Sequence, residues 1–341
     1  MRVLVTGGAG FLGHHLVREL EQKDIVLLDT ADPAEAGIPP TDRYFRGDVR
    51  DSRLLETALQ GCDAVVHAAA GLPLMPKAEI ASVNREGTKT VLESCAKMNV
   101  DKIIHISSTA VYQNTSNGPA KEDAPVRGIG PYGASKIEAE ALCAEARQKG
   151  QPVCVLRPKT FVGAGRLGVF QILLEWIAEG RKIPVLGTGG NRYQLLAVED
   201  LITAIDLILT LRPEETDGVF NVGANCYRTV AEDLGALFAH AKTGSRILPI
   251  PALPAKAALA VAGATGLSPL YRWVWETADK NSEVDTSKLQ KLSWTPQSSN
   301  AKTLIAAWDW YRENRERLPK PGKNHRSPWR EGILGLARKL L

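Results

Sequence analysis

The segment Met1-Arg2-Val3-Leu4-Val5-Thr6-Gly7-Gly8-Ala9-Gly10-Phe11-Leu12-Gly13 decides the fold of this chain. Its apolar first residues predict a strand, its glycines predict a tight turn, and the residues that follow, to about Gln22, predict a helix. A second apolar run, Ile25 to Leu28, ends in Asp29, about twenty residues past the glycines. Strand, glycine turn, helix and second strand in this spacing are typical of a βαβ unit that binds a dinucleotide.

Each glycine of the turn has an expected role. Gly7 permits the sharp turn, Gly10 lets the backbone approach a pyrophosphate, and Gly13 lets the helix pack closely on the strand. Phe11 and Leu12, which lie between the last two glycines, are expected to contact the cofactor as well. The spacing is GxxGxxG rather than GxGxxG, and a glycine-rich turn on its own is also compatible with a purely architectural role.

Asp29 indicates which dinucleotide is bound. A carboxylate at the end of the second strand accepts hydrogen bonds from both ribose hydroxyls, whereas a 2′-phosphate at that place would meet a like charge. The sequence therefore favours NAD over NADP.

The composition is that of a globular protein of 341 residues, 44% hydrophobic and with a formal net charge of +4. Five scattered cysteines, none in a CxxC pair, indicate a reducing compartment and predict neither disulfides nor a metal site. The first strand begins at the initiator methionine and no apolar run reaches about 18 residues, so we expect no signal peptide, no transmembrane span and a cytoplasmic location.

Later segments continue the alternation of strands and helices. Strands are predicted at 44–49, 63–70, 102–107, 153–156, 219–222 and 246–250, and helices at 51–60, 77–98, 132–149, 168–179 and 195–211, with a turn-rich stretch at 186–191. The predicted fold class is α/β: a doubly wound parallel (Rossmann) sheet with a smaller C-terminal substrate-binding α/β subdomain. The predicted divisions are an NAD-binding domain at 1–162, a substrate-domain segment at 163–196, a return to the sheet at 197–226, the substrate-binding subdomain at 227–318 and a basic amphipathic tail at 319–341.

Three polar residues are candidates for catalysis. Tyr132 and Lys136 are four apart on a predicted helix and so share one face, and Ser108 follows a predicted strand. Tyrosine acting as a base near neutrality needs its pKa lowered by about 3 units, which Lys136 and a positive nicotinamide ring would largely supply. Ser108 would hydrogen-bond the substrate oxygen as charge develops. His67, at the end of a strand, is expected to be a packed residue rather than a catalytic one.

The sequence resembles the extended short-chain dehydrogenase/reductase family, which includes NAD-dependent epimerases, dehydratases and 3β-hydroxysteroid dehydrogenases. Seven motifs carry the resemblance in order: TGGAGFLG at 6–13, GDV at 47–49, HAAA at 67–70, NREGT at 84–88, SSTAVY at 107–112, YGASK at 132–136 and LRP at 156–158. It implies a homodimer through the helices that contain Asn84 and Tyr132. Carried over by position, it places Asp48 and Val49 beside the adenine, Ala68 and Ala69 beside the phosphate and ribose, Pro158 beside the nicotinamide and Asn84 in support of the site.

Departures from the family pattern limit which reactions are expected of this chain. Dehydratases of this family have an Asp-Glu pair where this chain has Thr109-Ala110, so dehydration is not expected. Nucleotide-sugar enzymes usually have Asn at the position of Thr160 and grip the diphosphate with arginines. The candidate substrate-binding residues are Ser108, Thr109, Thr160, Arg166 and Arg192, and Arg181 is a further possible diphosphate contact.

The C-terminal tail suggests a partner. Residues 320–341 contain six Lys or Arg against one Glu, and Ile333, Leu336, Ala337 and Leu340 form one helical stripe. This pattern fits an anionic membrane, although packing on the protein is equally compatible.

The sequence hypothesis is an NAD-dependent oxidoreductase acting on a secondary alcohol or ketone of a hydrophobic or lipid-linked substrate. The alternatives are a sugar 4-epimerase working through a transient keto intermediate and a catalytically idle scaffold; nothing indicates nucleic acid.

Overall fold

The computed structural model describes residues 1–318, with gaps at Glu21, 39–42, Leu74, Asp101, 113–117, Arg166, Gly168, 265–269 and Tyr271. The predicted tail at 319–341 and the candidate substrate residue Arg166 therefore lie outside the described residues. Of the helices in the described ranges, none is both long and apolar enough to cross a bilayer.

The described chain alternates strands and helices over most of its length. The strands are β1 (Arg2–Thr6), β2 (Asp24–Asp29), β3 (Tyr44–Arg46), β4 (Ala64–His67), β5 (Lys102–Ile106), β6 (Val153–Pro158), β7 (Phe161–Val162), β8 (Lys182–Leu186), β9 (Leu196–Ala197), β10 (Gly218–Val222) and β11 (Arg246–Ile250). The helices are α1 (Phe11–Glu19), α2 (Ser52–Ala58), α3 (Lys77–Met98), α4 (Gly130–Gln148), α5 (Val169–Ala178), α6 (Val198–Thr210), α7 (Pro213–Thr216), α8 (Val230–Ala241), α9 (Ala252–Ala264), α10 (Arg272–Thr277), α11 (Ser287–Gln290) and α12 (Asn300–Asn314).

Seven parallel strands form the main sheet in the order β10-β6-β5-β4-β1-β2-β3. The chain builds outward from β1 in one direction through β2 and β3, then returns to the other side of β1 and builds outward again from β4. The point where the order reverses lies between β1 and β4, and parallel sheets bind ligands at the carboxyl ends of the strands there. The predicted doubly wound α/β fold is confirmed.

Two apolar layers cover the faces of this sheet. On one face, α1 and α6 bury Leu16, Leu201 and Ile205 against the strands. On the other face, α2, α3 and α4 contribute the second layer, which includes Leu55 and Cys143. The near-continuous apolar runs of β1, β4 and β6 follow from this burial on both faces.

A smaller unit is built from the later part of the chain. The parallel pair β8 and β11 packs with α5, α8 and α12 around a separate core that includes Trp176, Leu237, Trp308 and Tyr311. The sequence prediction included β11 but missed its partner β8, because Lys182 and Pro184 interrupt the apolar alternation there.

Some predicted boundaries were wrong for physical reasons. The strand expected to stop at Leu156 continues through Arg157 and Pro158, which pair with Asn221 and Val222 of β10. A buried arginine is tolerated inside this strand because a carboxylate of α4 pairs with it. The helix expected from Leu195 begins at Val198, since the two residues before it pair with β7.

Candidate active site

The structure brings Ser108, Tyr132 and Lys136 together above the end of β5. Tyr132 and Lys136 lie one turn apart near the beginning of α4, and Lys136 Nζ lies 6.0 Å from the centre of the Tyr132 ring. Lys136 Nζ donates a hydrogen bond to the carbonyl of Ile106 at 2.8 Å, which ties α4 to the last residue of β5. The Tyr132 phenol is hydrogen-bonded to Ser108. A phenol, a hydroxyl and an ammonium group thus meet at one edge of the sheet.

The protein itself keeps the Tyr132 phenol protonated near neutrality. Burial raises the pKa of Tyr132 to about 12, and the hydrogen bond from Ser108 opposes this only in part. Burial also lowers the pKa of Lys136 to about 8, against the opposing charge of Glu140. In the protein alone, desolvation outweighs the groups that favour the phenolate, so the lowering of the Tyr132 pKa by Lys136 and the positive nicotinamide ring together stays a prediction.

A buried polar network lies behind these three residues. Glu140, one turn after Lys136, accepts hydrogen bonds from Ser107 Oγ and from Arg157 Nε and Nη2. Arg157 Nη1 also donates to the Tyr112 hydroxyl at 2.7 Å, and that hydroxyl donates to Asn221 Oδ1 at 2.9 Å. The network links α4 to β6, to β10 and to the residue that follows β5.

Sequence reasoning missed Glu140. Its signal was available, because Tyr132, Lys136 and Glu140 recur every four residues and therefore share one helix face. A charged residue on the face that packs against a sheet requires a buried partner. Arg157, which the sequence showed only as part of the LRP motif, is the buried partner of Glu140.

Where β1 turns into α1, the glycines are packed too closely for a side chain at their positions. Gly7 has a positive φ of 71°, and a Cβ atom there would lie 2.7 Å from the backbone nitrogen of Ala69. A Cβ atom on Gly13 would lie 2.4 Å from the carbonyl oxygen of Gly8, and one on Gly10 would lie 2.9 Å from that of Gly7. The turn thus requires glycine at all three positions.

The beginning of α1 suits a pyrophosphate. Gly10 is the residue before the helix and has no side chain with which to cap it, so the first amides, including those of Phe11 and Leu12, stand at the positive end of the helix dipole. Backbone amides in this position bind phosphate groups. The chain's own residues therefore fit the dinucleotide that the turn predicts.

The carboxylates predicted near the cofactor differ in their pairing. Asp29 accepts from the amide of Ala9 through Oδ2 and from the amide of Ala31 through Oδ1, each at 3.0 Å, which fixes the carboxylate between the glycine turn and the end of β2. Asp48 is held by Arg50 through its two carboxylate oxygens, at 2.9 and 2.6 Å, and this pairing lowers the pKa of Asp48. The Asp48 carboxylate is thus committed to Arg50, and Val49 beside it is buried.

The residues at the ends of β4 and β6 have mainly structural partners. Ala68 and Ala69 donate backbone hydrogen bonds to Thr6, and Pro158 ends the buried strand β6. Asn84 is buried and joins the Gly71 amide to Ser135 Oγ, with both bonds at 2.8 Å. Its side chain is fully used in holding the loop after β4 against α4, so we expect it to support the cofactor site by positioning.

His67 is a packed residue, as its position at the strand end suggested. Its ring nitrogens contact Thr6 Oγ1 at 2.8 Å and Thr88 Oγ1 at 3.0 Å. Burial and the charge of Lys136 lower the pKa of His67 to about 3, so the imidazole is neutral at physiological pH.

Two of the candidate substrate-binding residues, Arg192 and Thr160, have partners within the protein. Arg192 lies with its guanidinium carbon 4.9 Å from the Tyr227 ring centre and its Nε 3.4 Å from Glu283. Thr160 is hydrogen-bonded to Tyr193, which stands beside Arg192 in the chain. Thr160 and Arg192 are therefore both near Tyr193, the first through a hydrogen bond and the second as its neighbour in the chain. Arg181, the further arginine considered, pairs with Glu179 at 3.4 Å.

A buried lysine that the sequence analysis did not consider lies in the same region. Lys159 is 2% exposed, donates to Ser282 Oγ at 2.6 Å and lies 5.0 Å from the Tyr193 ring centre. Burial lowers the pKa of Lys159 to about 7, against the nearby charge of Glu283. The signal was weak because one lysine between Pro158 and Thr160 has no periodicity to mark it.

The residues after Ser108 supply no carboxylate for elimination chemistry. Thr109 and Ala110 are both buried, and the Ala110 amide donates to Ser108 Oγ at 3.1 Å. Glu140, the buried carboxylate nearest in sequence to Lys136, is bound by Arg157 and Ser107. The described residues beside Ser108 are thus suited to moving a hydride and a proton, and they lack the acid and base pair that expulsion of water requires.

Comparisons with known proteins match this chain over most of its length. A model described as the NAD dependent epimerase/dehydratase family matches residues 3–223. The chain is 35% identical over 338 residues to the uncharacterized protein y4nG of Sinorhizobium fredii, covering 98% of this chain and 84% of that protein. It is 30% identical over 349 residues to a UDP-glucose 4-epimerase of Lactobacillus helveticus, covering 92% and 98%. The crystal structure of DesIV, a dTDP-glucose 4,6-dehydratase from Streptomyces venezuelae with NAD bound, is similar with a TM-score of 0.73 and 26% identity, over 93% and 98% of the two chains.

Proposed function

The chain belongs to the NAD-dependent epimerase/dehydratase family and is an NAD-dependent enzyme, and on this premise we propose that it is a sugar 4-epimerase. The meeting of Ser108, Tyr132 and Lys136 beside a dinucleotide turn, without a carboxylate at Thr109 or Ala110, supports hydride transfer without dehydration. The observation that favours an epimerase over a dehydrogenase is the 30% identity to a UDP-glucose 4-epimerase over 92% of this chain. Hydride transfer needs Ser108, Tyr132 and Lys136, whereas dehydration would also need an acid and a base to expel water. The substrate is a sugar carried by a nucleotide or by a lipid.

Each residue has one task in the proposed reaction. Tyr132 accepts the hydroxyl proton while the carbon-bound hydrogen leaves as hydride, which yields a ketone. Ser108 donates a hydrogen bond to the substrate oxygen, and Lys136 stabilises the phenolate of Tyr132. The same tyrosine returns the proton when hydride adds to the opposite face of the ketone. When bound, oxidised NAD accepts the hydride and supplies the positive charge that favours the phenolate.

The cofactor contacts follow from the turn and its surroundings. The amides of Phe11 and Leu12 would bind the pyrophosphate, and Asp29 the adenine ribose. Val49 would lie beside the adenine and Pro158 beside the nicotinamide. Because Arg50 already holds the Asp48 carboxylate, Asp48 would contribute through its backbone.

A dehydrogenase acting on a hydrophobic or lipid-linked alcohol is the second candidate. The observation that favours it is the set of partners around Arg192, because a guanidinium committed to Glu283 and Tyr227 is a weaker diphosphate clamp than a free one. The chemistry at Tyr132 would be the same, but the cofactor would have to exchange after each turnover.

One measurement separates the two reactions. The protein is purified without added cofactor and denatured, and the released nucleotide is quantified by chromatography. Retained NAD close to one per chain, with conversion of a UDP-hexose or polyprenyl-linked sugar to its C4 epimer, supports the epimerase. An empty protein that reduces added NAD with an alcohol substrate supports the dehydrogenase, and neither activity with any of these substrates contradicts both.

Location and assembly form part of the proposal. We place the enzyme in a reducing compartment such as the cytoplasm because its five cysteines are free thiols. A homodimer through α3 and α4, and peripheral membrane contact through residues 320–341, remain predictions. Light scattering with the full chain tests the first of these.

A further inference from the structure

Two aromatic side chains of α1 contact the segment that follows β6. Phe11, whose amide is proposed to bind the pyrophosphate, stacks on Phe161 with ring centres 5.9 Å apart and an angle of 5° between the planes. His15, one turn later on α1, meets the Phe11 ring edge-on at 4.8 Å. His15 Nε2 donates a hydrogen bond to the carbonyl of Ala164 at 2.8 Å, since a carbonyl oxygen can only accept. The helix of the proposed cofactor site is thus held to residues 161–164 by a ring stack and a hydrogen bond.

Residues 160–165 connect the main sheet to the smaller unit. Phe161 packs against the core that α1 and α6 share, whereas Val162, the next residue of β7, belongs to the core of the smaller unit. Thr160, the candidate substrate-binding residue that is hydrogen-bonded to Tyr193, comes directly before Phe161. Because Thr160 and Phe161 share a peptide bond, the position of this segment sets the position of Thr160.

Two glycines mark where the contact with α1 ends. A Cβ atom on Gly163 would lie 2.2 Å from Val198 Cγ1 and 3.5 Å from Phe11 Cζ, so α1 and α6 both pack directly on this residue. Gly165 has a positive φ of 89°, and no atom of the described residues lies within 4 Å of the position of its Cβ atom. The chain is therefore tightly packed against α1 as far as Ala164 and can turn away at Gly165.

Packing alone does not explain a histidine at position 15. His15 is 3% exposed, and its other ring nitrogen, Nδ1, has no hydrogen-bond partner within the described part of the chain. Leaving a buried polar atom unpaired lowers stability, so an apolar side chain would fill the same space at a smaller cost. The bond from Nε2 to Ala164 is what a histidine adds at this position.

We propose that His15 is a positioning residue that couples the cofactor helix to the substrate side of the site. With NAD bound at the beginning of α1, Phe11 is held in place, and the bond from His15 holds residues 161–164 and hence Thr160 in the position that receives the sugar. Such a coupling is reciprocal, so cofactor and substrate each raise the affinity for the other by the same factor. The identity of the substrate rests on the proposed function, whereas the link between α1 and residues 161–164 does not.

Hydrogen exchange of the amides of residues 161–165 tests the link without any substrate. We expect added NAD to slow this exchange at least about threefold in cofactor-stripped wild type and to leave it unchanged in His15→Leu, which fills the space but has no donor. His15→Gln, whose Nε2 can replace the imidazole donor, should restore part of the effect. His14→Leu changes the exposed neighbour on the same helix and is the matched control, which should respond to NAD as the wild type does.

Substrate kinetics give a second readout. In His15→Leu the KM for a UDP-hexose or polyprenyl-linked sugar should rise about threefold to tenfold, the range expected for one hydrogen bond, with kcat and retained NAD close to wild type. His15→Asn, whose amide is too short to reach Ala164, takes the place of His15→Leu if that variant does not fold.

Two results would overturn the coupling. One is exchange at 161–165 that NAD slows equally in wild type and His15→Leu, and the other is a His15→Leu variant that loses NAD retention and kcat together while its KM stays the same, which would limit His15 to supporting α1. If the wild type converts none of the sugars, the proposed function fails, and the exchange measurement still decides whether His15 carries the link.

Discussion

Arg157 binds the Glu140 carboxylate through two nitrogens, with Nε at 3.0 and 3.1 Å from the two oxygens and Nη2 at 2.5 Å from Oε2. Both side chains are buried, with 6% and 9% exposed. Glu140 follows Lys136 by one helical turn, and its charge raises the pKa of Lys136 against the effect of burial. The ion pair therefore fixes α4 on the sheet and favours the charged form of the lysine beside Tyr132.

Replacing Glu140 tests this positioning role. Glu140→Gln removes the negative charge, so the pKa of Lys136 should fall below about 8 and the alkaline limb of the kcat profile should move to lower pH. The variant should also lose about 3–5 kcal/mol of unfolding free energy, because the buried Arg157 is left without its counter-ion. Glu138→Gln on the exposed side of the same helix is the control. A destabilised Glu140→Gln variant with the wild-type pH profile would limit the pair to a structural role.

Two tyrosines allow the chemical and structural roles to be compared. Tyr132→Phe should lower kcat by at least about a hundredfold, because the proton acceptor is lost, while retained NAD and thermal stability stay close to wild type. Tyr112→Phe loses the bonds to Arg157 and Asn221, so it should cost about 1–3 kcal/mol of stability with a smaller change in kcat. Single-turnover reduction of bound NAD measures the chemical step alone, and so separates the chemical role of Tyr132 from the structural role of Tyr112. Equal kcat losses in both variants would contradict a catalytic role confined to Tyr132.

The sequence predicted the sheet and the glycine turn because these depend on local patterns. An apolar strand, three glycines and Asp29 specify a βαβ unit within thirty residues, and Lys77–Met98 was bounded correctly by its own periodicity. The partners of buried polar groups depend on tertiary contacts instead. Nothing near Arg157 in the chain indicates that Glu140, seventeen residues earlier, binds it.

The electrostatics of the protein without its cofactor could not be predicted from the sequence for the same reason. The sign of the pKa shift of Tyr132 depends on how completely α4 and the strand ends exclude water, which a motif does not encode. Lys159 was missed because its burial results from contacts with Ser282 and Tyr193, both far from it in the sequence.

Lys159 should make the stability of the protein depend on pH. Its folded pKa of about 7 lies below the value of 10.5 for an unhindered lysine, so the unfolded chain binds more protons between these values and stability rises with pH. From pH 6.5 to 8.5 the free energy of unfolding should rise by about 2 kcal/mol through this residue. Lys159→Met should abolish that part of the rise in urea titrations, whereas Lys288→Met, which replaces a lysine 4.5 Å from the Phe220 ring, should retain it. Parallel curves for wild type and Lys159→Met would contradict the shift.

Asp29 should decide between the two nicotinamide cofactors. Asp29→Asn keeps a polar group of the same size but removes the charge that repels a 2′-phosphate and one of the acceptors for the amides of Ala9 and Ala31. We expect weaker NAD binding and a ratio of NADP to NAD affinity at least about tenfold higher, measured by calorimetry on cofactor-stripped protein. Asp32→Asn, a nearby carboxylate that pairs with Arg46, should leave the ratio unchanged. An unchanged ratio in Asp29→Asn would place the ribose elsewhere.

Two helical glycines should respond in opposite ways to the same substitution. In Gly13→Ala the new methyl group would meet the Gly8 carbonyl oxygen at 2.4 Å, so α1 must move away from the turn that is proposed to hold the pyrophosphate. We expect lost NAD retention together with lower stability. Gly235 of α8 has nothing within 4 Å of the position of a Cβ atom, so Gly235→Ala should stabilise the protein by about 0.5–1 kcal/mol through helix propensity and leave NAD retention intact. Thermal unfolding and nucleotide release measured on both variants check this. If Gly13→Ala retained NAD as the wild type does, the close approach of helix and turn would not be what holds the cofactor.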